Sequence, residues 1–244
     1  MLVKEGAARD SGSDRQLARM LAAIAGGLNA AAFHALGFFA ANMTGNVSLL
    51  SDHLALGDLS FAFFFLLIVL SFVTGSALST LLINAGRRRG NTGIYAHSIL
   101  LEGTILALVG IVDLVRSGPP TVDLLVTSLS FLMGLQNAVV TRISDARVRT
   151  THVSGMLTDI GIGVGMLIDI GRRVEPAEKA ADIRARLRLH AETVAAFCVG
   201  GVCGVVLYRW IGGGALVFAA LLLFAIASRA ALRTRPSKGS TKAD

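Results

Sequence analysis

Asn42-Met43-Thr44-Gly45-Asn46-Val47-Ser48-Leu49-Leu50-Ser51-Asp52 is the stretch on which the fold turns, because a second stretch copies it. The copy is His152-Val153-Ser154-Gly155-Met156-Leu157-Thr158-Asp159-Ile160. Each sits where a membrane helix is expected but is interrupted near its start by a hydroxyl residue followed by glycine. Each follows a Gly-Leu-amide segment: Gly27-Leu28-Asn29-Ala30 before the first, Gly134-Leu135-Gln136-Asn137-Ala138 before the second. Paired interrupted segments at matching places in two halves point to a transport site at a repeat interface.

Composition sets the solvent. The chain is 53% hydrophobic and only 16% charged, against about 25% charged for a soluble domain. With four prolines and no long polar stretch, it reads as one membrane domain over 17–232. A cytoplasmic segment at 1–16 and a disordered cytoplasmic tail at 233–244 flank it. The apolar stretch from Leu17 to Ala41 exceeds the roughly 7–15 residues of a signal-peptide core, so an uncleaved first helix is expected. Cys198 and Cys203 fall on different faces of one apolar helix. They are expected to be small core-packing residues rather than a disulfide or a metal site.

A helix needs about 20 apolar residues to cross the hydrocarbon core. Six stretches qualify: 17–40, 59–84, 93–115, 121–142, 190–210 and 212–232. Two more, 42–57 and 150–170, are shorter or more polar. If both of these dip in and return on the same side, every basic cluster lies in the cytoplasm. Those clusters are the N-terminus, Arg87 to Arg89, Arg142/Arg147/Arg149, Arg172 to Arg188, and the tail. The connections at Gly57-Asp58, Ser117 to Pro120 and Gly212 to Gly214 then face outward. The expected fold is an all-α membrane protein with six transmembrane helices and two re-entrant segments, both termini cytoplasmic. A seventh span at 150–170 is the competing arrangement. Three spans per half give the halves (17–115 and 121–232) opposite topology, a 3+3 inverted repeat.

The breaks carry the chemistry. Thr44 and Ser154 are expected to cap the half-helices, with Gly45 and Gly155 allowing close approach. Each half-helix start then presents the positive end of its dipole inside the membrane, suited to an anion or a neutral polar solute. Asn42, Asn46, His152 and Asp159 are expected to tune selectivity, and Asn29, Gln136 and Asn137 to complete the walls. Glu102 lies mid-span in 93–115 and is expected to carry a proton, or else to bond a neighbouring helix.

The Asn42–Asn46 motif and the Gly134–Asn137 segment together resemble the YoaK family of bacterial inner-membrane proteins, over about 17–232. That resemblance implies an inner-membrane location and a polytopic fold, and it implies no activity. Similar proteins commonly carry aspartate where this chain has Asn29, and Met-Thr-Gly where it has Val153-Ser154-Gly155. The first departure removes a charge, and the second keeps the hydroxyl and the glycine.

A transporter or channel for a small solute is therefore the leading expectation. An intramembrane serine hydrolase lacks a Gly-x-Ser-x-Gly elbow, and His-Glu-x-x-His is absent, so no enzyme and no cofactor are expected. A non-transporting scaffold is the remaining alternative. The partners expected are the lipid bilayer and the solute. The glycine runs at Gly161–Gly165 and at Gly200, Gly201 and Gly204 suit close packing or a homo-oligomer. The segment 171–189 reads as a short amphipathic surface helix, and the net charge of +7 follows from topology rather than from nucleic-acid binding.

Overall fold

Long apolar runs free of proline become helices because a backbone in lipid must bond to itself. In the computed structural model, which describes residues 2, 10–90, 93–115 and 119–234, they give α1 (Ser11–Leu36), α2 (Met43–Ala55), α3 (Leu59–Arg88) and α4 (Ile94–Val115). The second half gives α5 (Pro119–Ser144), α6 (Val153–Gly171), α7 (Ala180–Ile211) and α8 (Gly214–Thr234). No strand occurs among the described residues. The breaks have local causes. Gly37, at φ 78°, closes α1 by donating to the Phe33 carbonyl. Asp58 caps α3 by accepting from the Phe61 amide.

Among the described residues, five helical stretches are long and apolar enough to cross a membrane. They are α3, α4, Val122–Ser144 of α5, α6, and Ala177–Ile211, which contains α7; Gly214–Ala230 of α8 is a shorter apolar helix. Two expectations shift. α6, read as short or polar, has the length of a span. α1 is not in the set, because Asp14, Arg15, Arg19 and Asn29 interrupt an alanine- and glycine-rich helix. Protein covers it instead: Leu17, Leu21 and Leu28 are buried, facing a core completed by Leu132, Leu135 and Val139 of α5. The outer helices turn Phe63, Leu81, Val199 and Leu221 outward, each more than half exposed. Such a surface is a liability in water and a lipid contact in a bilayer.

The helices meet in an ordered pattern. α1 packs on α7 and α5 on α3; α2 packs on α3 and α6 on α7; α3 meets α4 and α7 meets α8; α4 meets α5 and α8 meets α1. α1 also meets α5, and α4 meets α8. Adding four to each helix number, counting round from eight to one, turns every pairing into a member of the set, α1–α5 and α4–α8 into themselves. The two tightest seams share one device. A Cβ on Gly26 would run into the Phe197 carbonyl, and one on Gly200 into the Ala23 carbonyl. On the other seam, Gly134 lies against the Phe72 carbonyl and Gly75 against the Phe131 carbonyl. Only glycine permits backbones to touch in this way.

Three further expectations are corrected. Residues 171–189 do not form a separate surface helix. A turn at Arg173 (φ 62°) and a 3-10 turn at Ala177–Lys179 lead into α7, which starts at Ala180 and continues without a breaker into the apolar span. Cys198 and Cys203 are free thiols on the exposed side of α7, not core residues. In Gly161–Gly165 only Gly163 is a close-packing glycine, against Leu187; Gly161 and Gly165 have open space around them. Lys4, Arg9, the Ser117-Gly118 corner and the tail from 235 lie outside the described residues.

Candidate functional site

After α1 the chain doubles back beside it. The Ala41 amide donates to Asn29 Oδ1 at 2.8 Å, and Asn46 Nδ2 donates to the Phe39 carbonyl at 3.0 Å. The Phe33 and Phe39 rings stack at 4.2 Å. These contacts place the start of α2 part-way along α1. Asn42 caps it: its Oδ1 accepts from the Gly45 amide at 3.1 Å.

The second half repeats the manoeuvre with different atoms. Asp145 and Ala146 both adopt positive φ (53° and 59°), turning the chain back along α5. Ser144 Oγ accepts from the Val148 amide at 3.0 Å and holds the turn. Thr151 Oγ1 donates to Asn137 Oδ1 at 2.9 Å, so the start of α6 is fixed beside α5 as α2 is beside α1. The residue before each cap, Ala41 or Thr151, is therefore held by an amide of a long helix.

The capping expectation is corrected. Thr44 and Ser154 are not the caps; each is the second residue of its helix, and Asn42 and His152 occupy the cap positions. A cap must precede the first helical residue to reach the free amides of the first turn, and the hydroxyls lie two residues too late. His152 makes no side-chain cap bond. Its Nδ1 lies 2.9 Å from Arg149 Nη1. Arginine has no acceptor, so Nδ1 is the acceptor in this contact. The glycines serve the caps: a Cβ on Gly45 would lie 2.6 Å from Asn42 Nδ2, and one on Gly155 2.5 Å from His152 Cε1. Each glycine makes room for the cap side chain to fold over its own helix.

Both helix starts open onto one cavity of about 510 Å³. Of the residues singled out from sequence, Asn29, Asn42, Thr44, Asn137, His152 and Ser154 line it. The others stand back. Gly45 and Gly155 lie behind the caps, and Asn46 is buried against the Phe39 carbonyl. Gln136 and Glu102 are both fully buried and bonded to each other, Gln136 Nε2 donating to Glu102 Oε1 at 2.8 Å. Among the described residues Glu102 Oε2 and Gln136 Oε1 have no hydrogen-bond partner. Asp159 lies further along α6, its Oδ2 3.8 Å from His190 Nδ1.

Sequence reasoning missed part of the wall. Arg149, Thr141 and Thr151 supply polar lining, and Phe72 and Phe197 line it from matching places in the repeat pattern. A signal for the phenylalanines was present: Phe72-Val73-Thr74-Gly75 and Phe197-Cys198-Val199-Gly200 share a Phe-x-x-Gly spacing. Each phenylalanine lends its carbonyl to a glycine seam and also lines the cavity. Among the lining residues Arg149 is the one charged side chain, and no carboxylate is present. The first amides of α2 and α6 have no helical acceptor, so two dipole starts and one guanidinium give the cavity a positive field.

Three of the basic clusters meet at one end of the bundle. Arg147 Nη2 pairs with Asp14 Oδ2 at 3.3 Å, joining the α5–α6 turn to α1. Arg15 bonds Glu192 of α7 through two nitrogens, at 2.6 and 2.8 Å. Arg142 donates to Asn84 Oδ1 at 2.7 Å, joining the ends of α5 and α3, and Arg87 donates to the Tyr95 hydroxyl at 2.7 Å across the α3–α4 corner. Among the described residues no group of three His, Cys, Asp or Glu side chains could hold a metal ion.

A family model described as a protein of unknown function (DUF1275) matches residues 17–228. The UPF0700 transmembrane protein YoaK of Bacillus subtilis (strain 168) is 26% identical over 165 residues, covering 67% of this chain and 70% of that protein. No solved structure matches. The chain belongs to the DUF1275 family, and it is a multi-pass membrane protein similar to YoaK.

Proposed function

We propose that this DUF1275-family membrane protein is a transporter or channel that moves a small polar or anionic solute through the cavity between its two half-helices. The observation that carries the reading is the cavity itself. One polar space is lined by the starts of α2 and α6, which come from different halves of the chain. Backbone that breaks its helix at membrane depth needs protein or a water-filled cavity to satisfy it, and this cavity supplies one.

The helix pairing supports an inverted repeat with α2 and α6 as its re-entrant elements. In this reading α1 counts as a span because α5 and α7 sheathe it. α6 is long because its far end passes beyond the bilayer. In the same reading the gathered basic residues face the cytoplasm, with both termini on that side of a bacterial inner membrane. A proton on Glu102 would act indirectly, through Gln136 on α5, whose neighbour Asn137 holds the approach to α6. The protein is read as a non-enzyme.

The test is flux in proteoliposomes holding the full chain, with acetate, nitrate, inorganic phosphate and urea as solutes. Gly45→Leu and Gly155→Leu push the cap side chains into the cavity. At least one solute is expected to cross in a protein-dependent way, with both variants slowing it roughly tenfold, the effect of about 1.4 kcal/mol. No protein-dependent flux, or unchanged flux in both correctly folded variants, overturns the reading.

A further inference from the structure

The central cavity does not end at His152. It shares Arg149 and His152 with a second cavity of about 260 Å³, which runs between the α5–α6 turn, α6 and α7. That cavity in turn shares Asp159 and His190 with a third, of about 350 Å³, which reaches Lys179 and Arg186. At each junction the two shared side chains are close: Arg149 Nη1 to His152 Nδ1 at 2.9 Å, and His190 Nδ1 to Asp159 Oδ2 at 3.8 Å.

The spacing is that of one helix face. From the cap of α6 onward the lining passes through positions 152, 155, 156, 159, 162, 163 and 166; on α7 and the turn before it, the lining passes through 193, 190, 189, 187, 186, 183, 182 and 179. Steps of three and four keep a residue on the same side of a helix, so the facing stripes of α6 and α7 together line one path. The path leads from the centre to the basic end. Its charge is uneven: Arg147 is paired with Asp14 and Lys179 with Glu175, Arg186 shares the outer stretch with Asp159 and Asp182, and Arg149 stands at the inner junction beside a central cavity lined by no carboxylate. A cation at such a junction, between low-dielectric walls, concentrates anions.

We propose that the groove between α6 and α7 is the route joining the central cavity to the basic end of the bundle, closed at the Arg149–His152 and Asp159–His190 pairs, and that it admits small anions. The proposal rests on the transport reading above, and it adds a direction, two constrictions and a solute class. Each constriction is a pair of side chains, so rotation of one side chain opens it without moving a helix. Arg149 does double duty, as the cation of the cavity and as half of the inner closure.

The test separates the route from the transport reading. With Cys198 and Cys203 replaced by serine, single cysteines are placed at Ser154 in the central cavity and at Ile162 in the outer one. The full chain in vesicles is treated with sulfonatoethyl and trimethylammonioethyl methanethiosulfonate from the face on which a Val174→Cys control reacts. Both cysteines are expected to react from that face. The sulfonate is expected to react roughly tenfold faster at Ser154→Cys, and Arg149→Gln to remove most of that preference, as for loss of about 1.4 kcal/mol. Reaction of Ser154→Cys from the opposite face alone, or no preference for the sulfonate, overturns the route while leaving the transport reading to the flux assay. Reaction as expected with no flux of any of the four solutes overturns the transport reading and leaves the groove as a blind anion vestibule, and flux of urea alone overturns the anion class assigned to the route.

Discussion

Gly45 and Gly155 do at the residue scale what no other side chain could do at those positions. The cap residue of each half-helix folds its side chain back over the first turn, and the third helical position must be bare to receive it. That explains the pairing of a cap with a glycine three residues later in both motifs. Asn42 and His152 share a position and differ in chemistry, an amide that caps its own helix and an imidazole that turns to Arg149. The Glu102–Gln136 pair is the other residue-scale feature with consequences. Replacing Glu102 by leucine leaves the buried Gln136 amide without its acceptor, which costs about 1–3 kcal/mol. Glu102→Gln keeps an acceptor there. Thermal unfolding in detergent is expected to show a clear loss for the leucine variant and a smaller one for the glutamine variant. Equal melting temperatures for all three proteins would remove the pair from the account of stability.

At the scale of elements, the seams matter more than the helices. Gly200 sits on the Ala23 carbonyl and Gly161 sits in open space, so the same substitution should act in opposite directions. Gly200→Ala forces α1 and α7 apart and is expected to destabilise the fold by about 1–3 kcal/mol. Gly161→Ala is expected to be neutral or to stabilise by up to about 1 kcal/mol through helix propensity. Denaturant titration in mild detergent distinguishes them, and a destabilised Gly161→Ala protein would mean that a partner covers that face of α6. The helix positions were legible in the sequence, because hydropathy is a local property: 59–84 became Leu59–Arg88, and 93–115 became Ile94–Val115. The join between 171–189 and the span after it was not. Charge marked a boundary there, while backbone propensity carried one helix through it.

The whole molecule places the two motifs in one cavity, and its parts were unequally readable beforehand. The paired motifs and the amides behind them stand out as repeated words in the chain. The choice of α7 as the partner of α1 does not, because it is written in single glycines far apart in sequence. Arg149 was read only as topological charge; its place in the wall depends on a turn through two left-handed residues that no periodicity announces. The overall arrangement makes a simple demand on sidedness. Val174 and Leu56 are both highly exposed, at 72% and 74%, one in the α6–α7 connection at the basic end and the other at the α2–α3 corner. Cysteines placed there are expected to react with an impermeant maleimide from opposite faces of the membrane. Labelling of both from one face would contradict the inverted arrangement.

The α1–α7 seam also sets a schedule for synthesis. The nascent chain delivers α1 to the bilayer first, with Asp14, Arg15 and Asn29 aboard, yet its glycine-matched companion is nearly the last to leave the ribosome. From Gly27 to Gly204, at about 5–20 residues per second, the wait is roughly ten to thirty seconds. For that interval the least greasy helix of the protein needs a stand-in, either α5 on its earlier arrival or the insertion machinery. A translational pause before α7 should therefore expose α1 to quality-control proteolysis.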